Sequence, residues 1–158
     1  MGQLMLGLVN GSFYAILSLG LAVIFGMLNI VNFAHGALYM VGAFFAWMLL
    51  NYAGINYWMA LVIAPMGVAL IGVVIEKTML RWLHQLDHLY GLLLTFGLAL
   101  ILEGVFREFY GSSGLPYELP DVFRGVFDLG FMMLPKYRVW VIAVSIVLCF
   151  FTWFVIEK

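Results

Sequence analysis

Charge is what this chain lacks. No Asp, Glu, Lys or Arg occurs between Met1 and Ile75, and His35 is the only side chain in that run that titrates near neutral pH. A water-soluble domain must solvate its surface, and a run this long without charge cannot do so; the hydrocarbon core of a bilayer can hold it. Charged residues are 9% of the whole chain, against about 25% in globular proteins. A net charge of -1 gives no basic footprint for nucleic acid. Cysteine is nearly absent too: Cys149 stands alone in an apolar run, which excludes an intramolecular disulfide and a cysteine-built metal site. The N-terminus, MGQLML, has no basic n-region, and the apolar stretch behind it is too long for the h-region of a signal peptide.

What is present is apolar and small. Hydrophobic residues reach 66% and mean hydropathy is +1.11. The 17 Gly and 10 Met suit membrane helices that pack closely and adjust to one another. At roughly 20 residues per span, the chain supplies about five. The apolar runs predict them over Leu4 to Val31, Ala37 to Asn51, Tyr57 to Ile75, Leu89 to Phe109 and Val139 to Ile156. The third contains Pro65, which neighbouring membrane helices let a span tolerate. The fold class expected is all-α: a polytopic integral membrane protein in a lipid bilayer, read as a single transmembrane domain over 1–158, with a broken helix near residues 29–36. Five spans are few for a complete transporter, so an oligomer, a partner subunit or a truncated product is expected.

Two connections are polar. Glu76 to His88 has helical character and mixed charge, and Tyr110 to Arg138, with Pro116, Pro120 and Pro135, reads as a long extramembrane loop. Lys77, Arg81 and Lys158 fall on one side, and Arg107, Arg124, Lys136 and Arg138 on the other. Long loops count less in the positive-inside rule, so the first set is read as cytoplasmic, with the N-terminus outside. Trp58, Trp82, Trp140 and Trp153 sit near span ends, where interfacial anchors belong.

In so apolar a chain the few polar residues are the candidates for function. NIVNFAHG, from Asn29 to Gly36, places Asn32, His35 and Gly36 between two apolar runs. It is either a break between membrane helices whose freed backbone and side chains line a polar path, or an interfacial turn that uses Asn and Gly for their conformations. Gly7 and Gly11 form a G-x-x-x-G pattern suited to helix packing. Beside them, Asn10 and Ser12 either face a path or bond to another helix. Glu103 is an acid inside a span, a functional candidate by default; Arg107, one turn later, makes a structural ion pair the favoured reading. Thr95 either contacts a polar substrate or bonds its own backbone. No catalytic Ser/His/Asp set, no paired carboxylates in the spans, no HExxH metal motif and no phosphate-binding glycine loop is present. The chain is therefore expected to be no enzyme, with no metal and no cofactor.

GLVNGSFYAILSLGLAVIFGMLNIVNFAHGALYMVGAF, from Gly7 to Phe44, closely resembles the start of permease subunits of branched-chain amino acid ABC transporters of the LivH type, with NFAHG the most specific part. LYGLLLTFGLALILEGVFREFYG, from Leu89 to Gly111, and LPKYRVWVIAVSIVLCFFTWFVIEK, from Leu134 to Lys158, resemble later parts of the same family. The resemblance implies a subunit of the bacterial inner membrane that forms the translocation path for branched-chain amino acids. It implies a second related permease subunit, cytoplasmic ATP-binding subunits that hydrolyse the ATP, and an external substrate-binding protein. Close relatives handle urea or short amides. Nothing in residues 1–158 resembles the cytoplasmic coupling loop, so the chain is read as truncated before that loop and, alone, not competent for transport. A passive oligomeric pore for a small polar solute and a non-functional remnant are the alternative readings.

Overall fold

The computed structural model describes residues 2–28, 32–83, 86–128 and 133–157. Among these residues six α-helices run in the order α1 (Gly2–Leu28), α2 (Ala34–Ala53), α3 (Tyr57–Ile75), α4 (Arg81–Leu83), α5 (His88–Tyr110) and α6 (Lys136–Glu157). A π-helical turn, Glu76–Leu80, joins α3 to α4. Five segments are long and apolar enough to cross a membrane: Gly2–Gly26, Ala34–Ala53, Tyr57–Leu83, His88–Tyr110 and Lys136–Glu157. The expected all-α membrane architecture is therefore present, and Pro65 sits inside an unbroken α3. The expected break near 29–36 falls between α1 and α2. Its residues 29–31 lie outside those described, as does Lys158, whose charge entered the orientation argument.

The distribution of side chains is that of a protein whose solvent is lipid. The buried apolar residues of the helices are small: Val9, Ala34, Val41, Ala60, Ala64 and Val141. The large ones point outward, Phe109 being 79% and Trp82 77% exposed. In water this arrangement would sacrifice most of the apolar burial that stabilises a fold. In a bilayer, lipid tails are as apolar as Leu, so helices associate through close packing of small residues instead.

Backbone packing divides the chain into two compact units, 24–118 and 1–23 with 119–158. In the first, α2 and α3 form an antiparallel pair. α2 ends at Gly54, whose φ of 61° is the left-handed conformation that glycine adopts without steric cost. The Ile55 N–H returns to the Leu49 carbonyl at 3.0 Å, the six-to-one bond of a Schellman end. The pair closes tightly. A Cβ built on Gly67 would lie 2.5 Å from the Phe45 ring, and one on Gly42 would lie 3.4 Å from Val68. α5 begins at Asp87, whose carboxylate accepts from the Leu89 N–H at 3.2 Å, an N-cap bond. At the far end of this unit Phe44, Trp47, Phe106 and Tyr110 stack in a cluster with ring centroids 4.7–6.0 Å apart. The Trp47 indole donates to the Pro116 carbonyl at 3.1 Å, tying the start of the long connection to α2.

In the second unit the long connection is more ordered than a loop. It holds a 3₁₀ turn, Asp121–Phe123, and two three-residue strands, β1 (Val126–Asp128) and β2 (Met133–Pro135). They pair antiparallel with Phe127 opposite Leu134. Three residues are too few to show an alternating pattern in sequence, which is why the strands were not legible there. Phe123 and Leu134 are buried, and Phe123 packs on Trp140 of α6 at 5.4 Å. The Lys136 N–H donates to the Gly125 carbonyl at 3.1 Å, and its ammonium stands 5.6 Å over the Phe127 ring. These contacts start α6 at Lys136, three residues before the expected Val139.

Gly67→Ala forces the Phe45 ring to move and lowers stability by about 1–3 kcal/mol, the usual cost of overpacking. Gly104→Ala, where nothing lies within 4 Å of the added carbon, gains about 0.5–1 kcal/mol from helix propensity. Thermal unfolding in detergent reads both, and equal melting temperatures for the two variants would show that the α2–α3 approach is not limiting.

Candidate functional site

The site grows from the point where the chain leaves one helix for the next. An α-helix begins with four amides that have no partner within it. At the start of α2 the sequence supplies partners from two directions. The Asn32 side-chain oxygen accepts from the Ala34 N–H at 2.9 Å. Asn32 therefore acts as the cap, although Phe33 is formally the residue preceding the helix. The Asn32 carbonyl accepts from the His35 N–H at 3.2 Å.

The Phe33 N–H is met from another helix. The Thr95 hydroxyl of α5 accepts it at 3.3 Å while donating to the Leu92 carbonyl at 3.0 Å. Thr95 is 1% exposed. Its hydroxyl makes the bond to its own helix expected of a membrane threonine and, in addition, a bond across to α2. Phe33 and Phe96 meet edge to face at 6.2 Å beside it.

Asn32 and Thr95 both line a cavity of about 190 Å³. Its remaining walls come from Ile24 at the end of α1, Ala34 and Leu38 of α2, Gly72 and Ile75 of α3, Glu76 and Leu80 of the π turn, and Leu98 of α5. The lining is thus mostly branched aliphatic, with an amide, a hydroxyl and a carboxylate set into it. That is the usual composition of a small-molecule site, with an apolar body and few polar groups. The π turn places Glu76 there, and such turns inside helices are frequent at functional sites.

The chain matches, over residues 3–157, the family described as the branched-chain amino acid transport system permease component. It belongs to that family. Among curated proteins it is 28% identical over 136 residues to the high-affinity branched-chain amino acid transport system permease protein LivH of Salmonella typhimurium, an alignment covering 81% of this chain and 44% of that protein. LivH of Escherichia coli K12 is equally similar. BraD of Pseudomonas aeruginosa, also a high-affinity branched-chain amino acid permease protein, is 29% identical over 131 residues, covering 77% of this chain and 43% of its own. The chain thus spans less than half the length of the curated relatives it matches. No solved structure matches. The family is one of transport permeases, in line with the lack of catalytic motifs.

The residues singled out in the sequence separate into groups. Asn32 and Thr95, 63 positions apart in sequence, are brought to one cavity. His35 and Gly36 fall in the first turn of α2 rather than in the connection. His35 is half-buried, Gly36 is exposed, and neither is among the residues lining the cavity. Asn10 and Ser12 belong to the other unit. Asn10 is exposed. The Ser12 hydroxyl donates to the Val9 carbonyl at 2.7 Å, and its carbonyl accepts from the buried Ser145 hydroxyl of α6 at 3.1 Å. Ser12 thereby joins α1 to α6.

Gly7 and Gly11 meet nothing within 4 Å, whereas Gly42 and Gly67, which no motif marked, are where helices approach. Glu103 and Arg107 are both exposed on α5. Arg124 pairs with Asp121 at 3.1 Å, whereas Glu103 and Arg107 do not close an ion pair in this conformation. An exposed pair one turn apart is worth only about 0.3–0.5 kcal/mol, too little to hold two long side chains together. Glu76 was assigned to a polar connection by its charge, and only the geometry brings it to the cavity. At the opposite end of this unit burial, and then the neighbouring Tyr57, raise the Tyr117 phenol above its ordinary value of 10.0, so it is neutral throughout the physiological range.

Thr95→Val keeps the shape of the side chain but leaves the Phe33 amide without its partner. It is expected to destabilise by about 1 kcal/mol, the low end of the cost of an unsatisfied donor, because the bond is partly buried and 3.3 Å long. Thr95→Ser retains the hydroxyl and most of the stability. A melting temperature for the Val variant equal to that of the unaltered protein would show that the bond across to α2 contributes nothing.

Proposed function

We propose that this chain is the membrane-spanning permease subunit, or part of one, of an ABC importer for branched-chain amino acids in the bacterial inner membrane. In this reading residues 1–158 form a single permease domain contributing to the translocation path. A second related permease subunit completes the path, an external substrate-binding protein delivers the amino acid, and cytoplasmic ATP-binding subunits supply the free energy. The observation that carries the proposal is the cavity beside the start of α2, in a chain of this family: its aliphatic lining suits a branched apolar side chain, and its polar groups suit the charged end of a small zwitterion.

Alternating access requires an element with two arrangements. The junction at Asn32, Phe33 and Thr95 is suited to that role, because it is held by side-chain hydrogen bonds rather than by a continuous helix. His35 and Gly36 sit in the helical turn that such a rearrangement would move.

The test is uptake of labelled leucine by membrane vesicles containing the assembled transporter. Uptake is expected to require ATP, and Asn32→Ala, which removes the bond to the Ala34 amide, is expected to lower it roughly tenfold, the scale of one lost hydrogen bond of about 1.4 kcal/mol, without loss of assembly; His35→Ala, which keeps the backbone bond to the Asn32 carbonyl, is expected to lower it less. Normal uptake in both variants would remove these residues from the path. Flux without nucleotide would make the protein a passive pore instead, and absence of leucine flux under every condition would overturn the reading.

A further inference from the structure

The polar side chains of α1 are Gln3, Asn10, Ser12, Tyr14 and Ser18. Ser12 has its place in the packing: it is half-buried, and its carbonyl accepts from Ser145 of α6. It shares a side of the helix with buried Val9 and half-buried Met5 and Ile16, at spacings of three and four residues. Gln3, Asn10, Tyr14 and Ser18 are exposed and lie on the opposite side. Positions 3, 7, 10, 14 and 18 also follow one another at three or four residues, so they form one stripe. Gly7 and Gly11 fill the places between the polar residues. The face made by Gln3, Gly7, Asn10, Gly11, Tyr14 and Ser18 holds no aliphatic side chain. At 1.5 Å per residue it runs about 22 Å, most of a hydrocarbon core of about 30 Å.

The exposed faces of other spans differ. α3 presents Val62, Met66, Leu70 and Val73, and α6 presents Ile146, Phe150 and Phe151. Those faces suit lipid. An amide side chain facing lipid has nothing to bond to at that depth, so the α1 face is ill suited to it. A close helix contact is the other solution for small residues and Asn, and here Tyr14 opposes it. Tyr14 is 68% exposed and stands between Gly11 and Ser18, where its ring keeps a neighbouring backbone from closing on the glycines. Gly7 and Gly11 have nothing within 4 Å. Water is the solvent that fits the whole stripe.

We propose that this face of α1 is wetted and forms a wall of an aqueous path for a small zwitterion. The reading of the chain as an amino-acid permease underlies this step, which deepens it by naming a path-lining face. The amides of Gln3 and Asn10 and the hydroxyls of Tyr14 and Ser18 both donate and accept hydrogen bonds. They can therefore replace water around an ammonium and a carboxylate alike. The face carries no charge, so it holds neither end tightly. Passage requires contacts good enough to admit a solute and weak enough to release it.

The experiment is a cysteine scan of the assembled transporter in right-side-out and inverted membrane vesicles. Cys149 is the sole cysteine, so Cys149→Ser supplies the background. Single cysteines are placed on the face by Gly7→Cys, Asn10→Cys, Tyr14→Cys and Ser18→Cys. Met5→Cys and Ile16→Cys report the packed side, and Phe150→Cys reports a lipid-facing position. The probe is a methanethiosulfonate bearing a quaternary ammonium group, which stays out of lipid. The face is expected to react roughly tenfold or more faster than the three control positions, because the reacting thiolate is disfavoured in apolar surroundings. Saturating leucine is expected to slow labelling of Asn10→Cys and Tyr14→Cys, and mannitol is not. Elution of the assembly as a single species confirms that each variant is folded. A variant that does not assemble is replaced by Gln3→Cys or Gly11→Cys on the same face.

Labelling of the face no faster than that of Met5→Cys or Phe150→Cys means a covered or lipid-facing stripe and overturns the proposal. Labelling that leucine leaves unchanged also overturns it. Leucine uptake by the unaltered assembly is measured in parallel, and if it is present either result leaves the permease reading intact. Absence of that uptake overturns the permease reading and, with it, the solute named here.

Discussion

A backbone amide that leaves its helix inside a bilayer has no water to turn to, and each such group left unpaired costs several kcal/mol. At the start of α2 the partners come from within the protein. Asn32 reaches forward to the Ala34 amide, and the Thr95 hydroxyl reaches across from α5 to the Phe33 amide. The same two bonds place a polar edge on the cavity between α2, α3 and α5. Satisfying the helix end and shaping a polar recess in an apolar bundle are thus one arrangement.

The second constraint is the weakness of apolar attraction between helices when the surroundings are equally apolar. Helices held by contact alone must come close, and closeness requires small residues. Val41, Ala60 and Ala64 are buried where α2 and α3 pair, and Gly67 receives the Phe45 ring. In the other unit Val9, Val141 and Ser145 are buried, and the Ser145 hydroxyl donates to the Ser12 carbonyl across α1 and α6. Large residues such as Phe109 and Trp82 are displaced to the outside. Transport by alternating access, as proposed for this chain, draws on the same balance, since helices joined by small contacts and a few hydrogen bonds can exchange partners at modest cost.

The spans were readable from composition because the period that matters is length. Some twenty apolar residues without charge have one stable conformation in a bilayer, and α3 begins and ends on the residues expected, Tyr57 and Ile75. The π turn at Glu76–Leu80 was hidden because its composition, EKTML, is that of an ordinary polar connection. The glycine motif pointed to Gly7 and Gly11, but spacing says only that a helix face is small, not that a neighbour lies against it. Gly67 has no motif, yet Phe45, 22 positions away, lies where its Cβ would be. Ser12 looked like a path residue because it is polar; its hydroxyl turned to the Val9 carbonyl instead.

By itself the sequence determined that the chain crosses a membrane, roughly where, and to which family it belongs, because charge, length and local motif are properties of contiguous residues. It also marked Asn32 and Thr95 as unusual, since polar residues are rare in spans. Only the tertiary structure decided that these two meet, that Glu76 joins them at one cavity, and that His35 does not line it. Those outcomes depend on the register in which α2, α3 and α5 pack. That register is set by which small residue faces which large one across a helix pair, a long-range property that no local pattern carries.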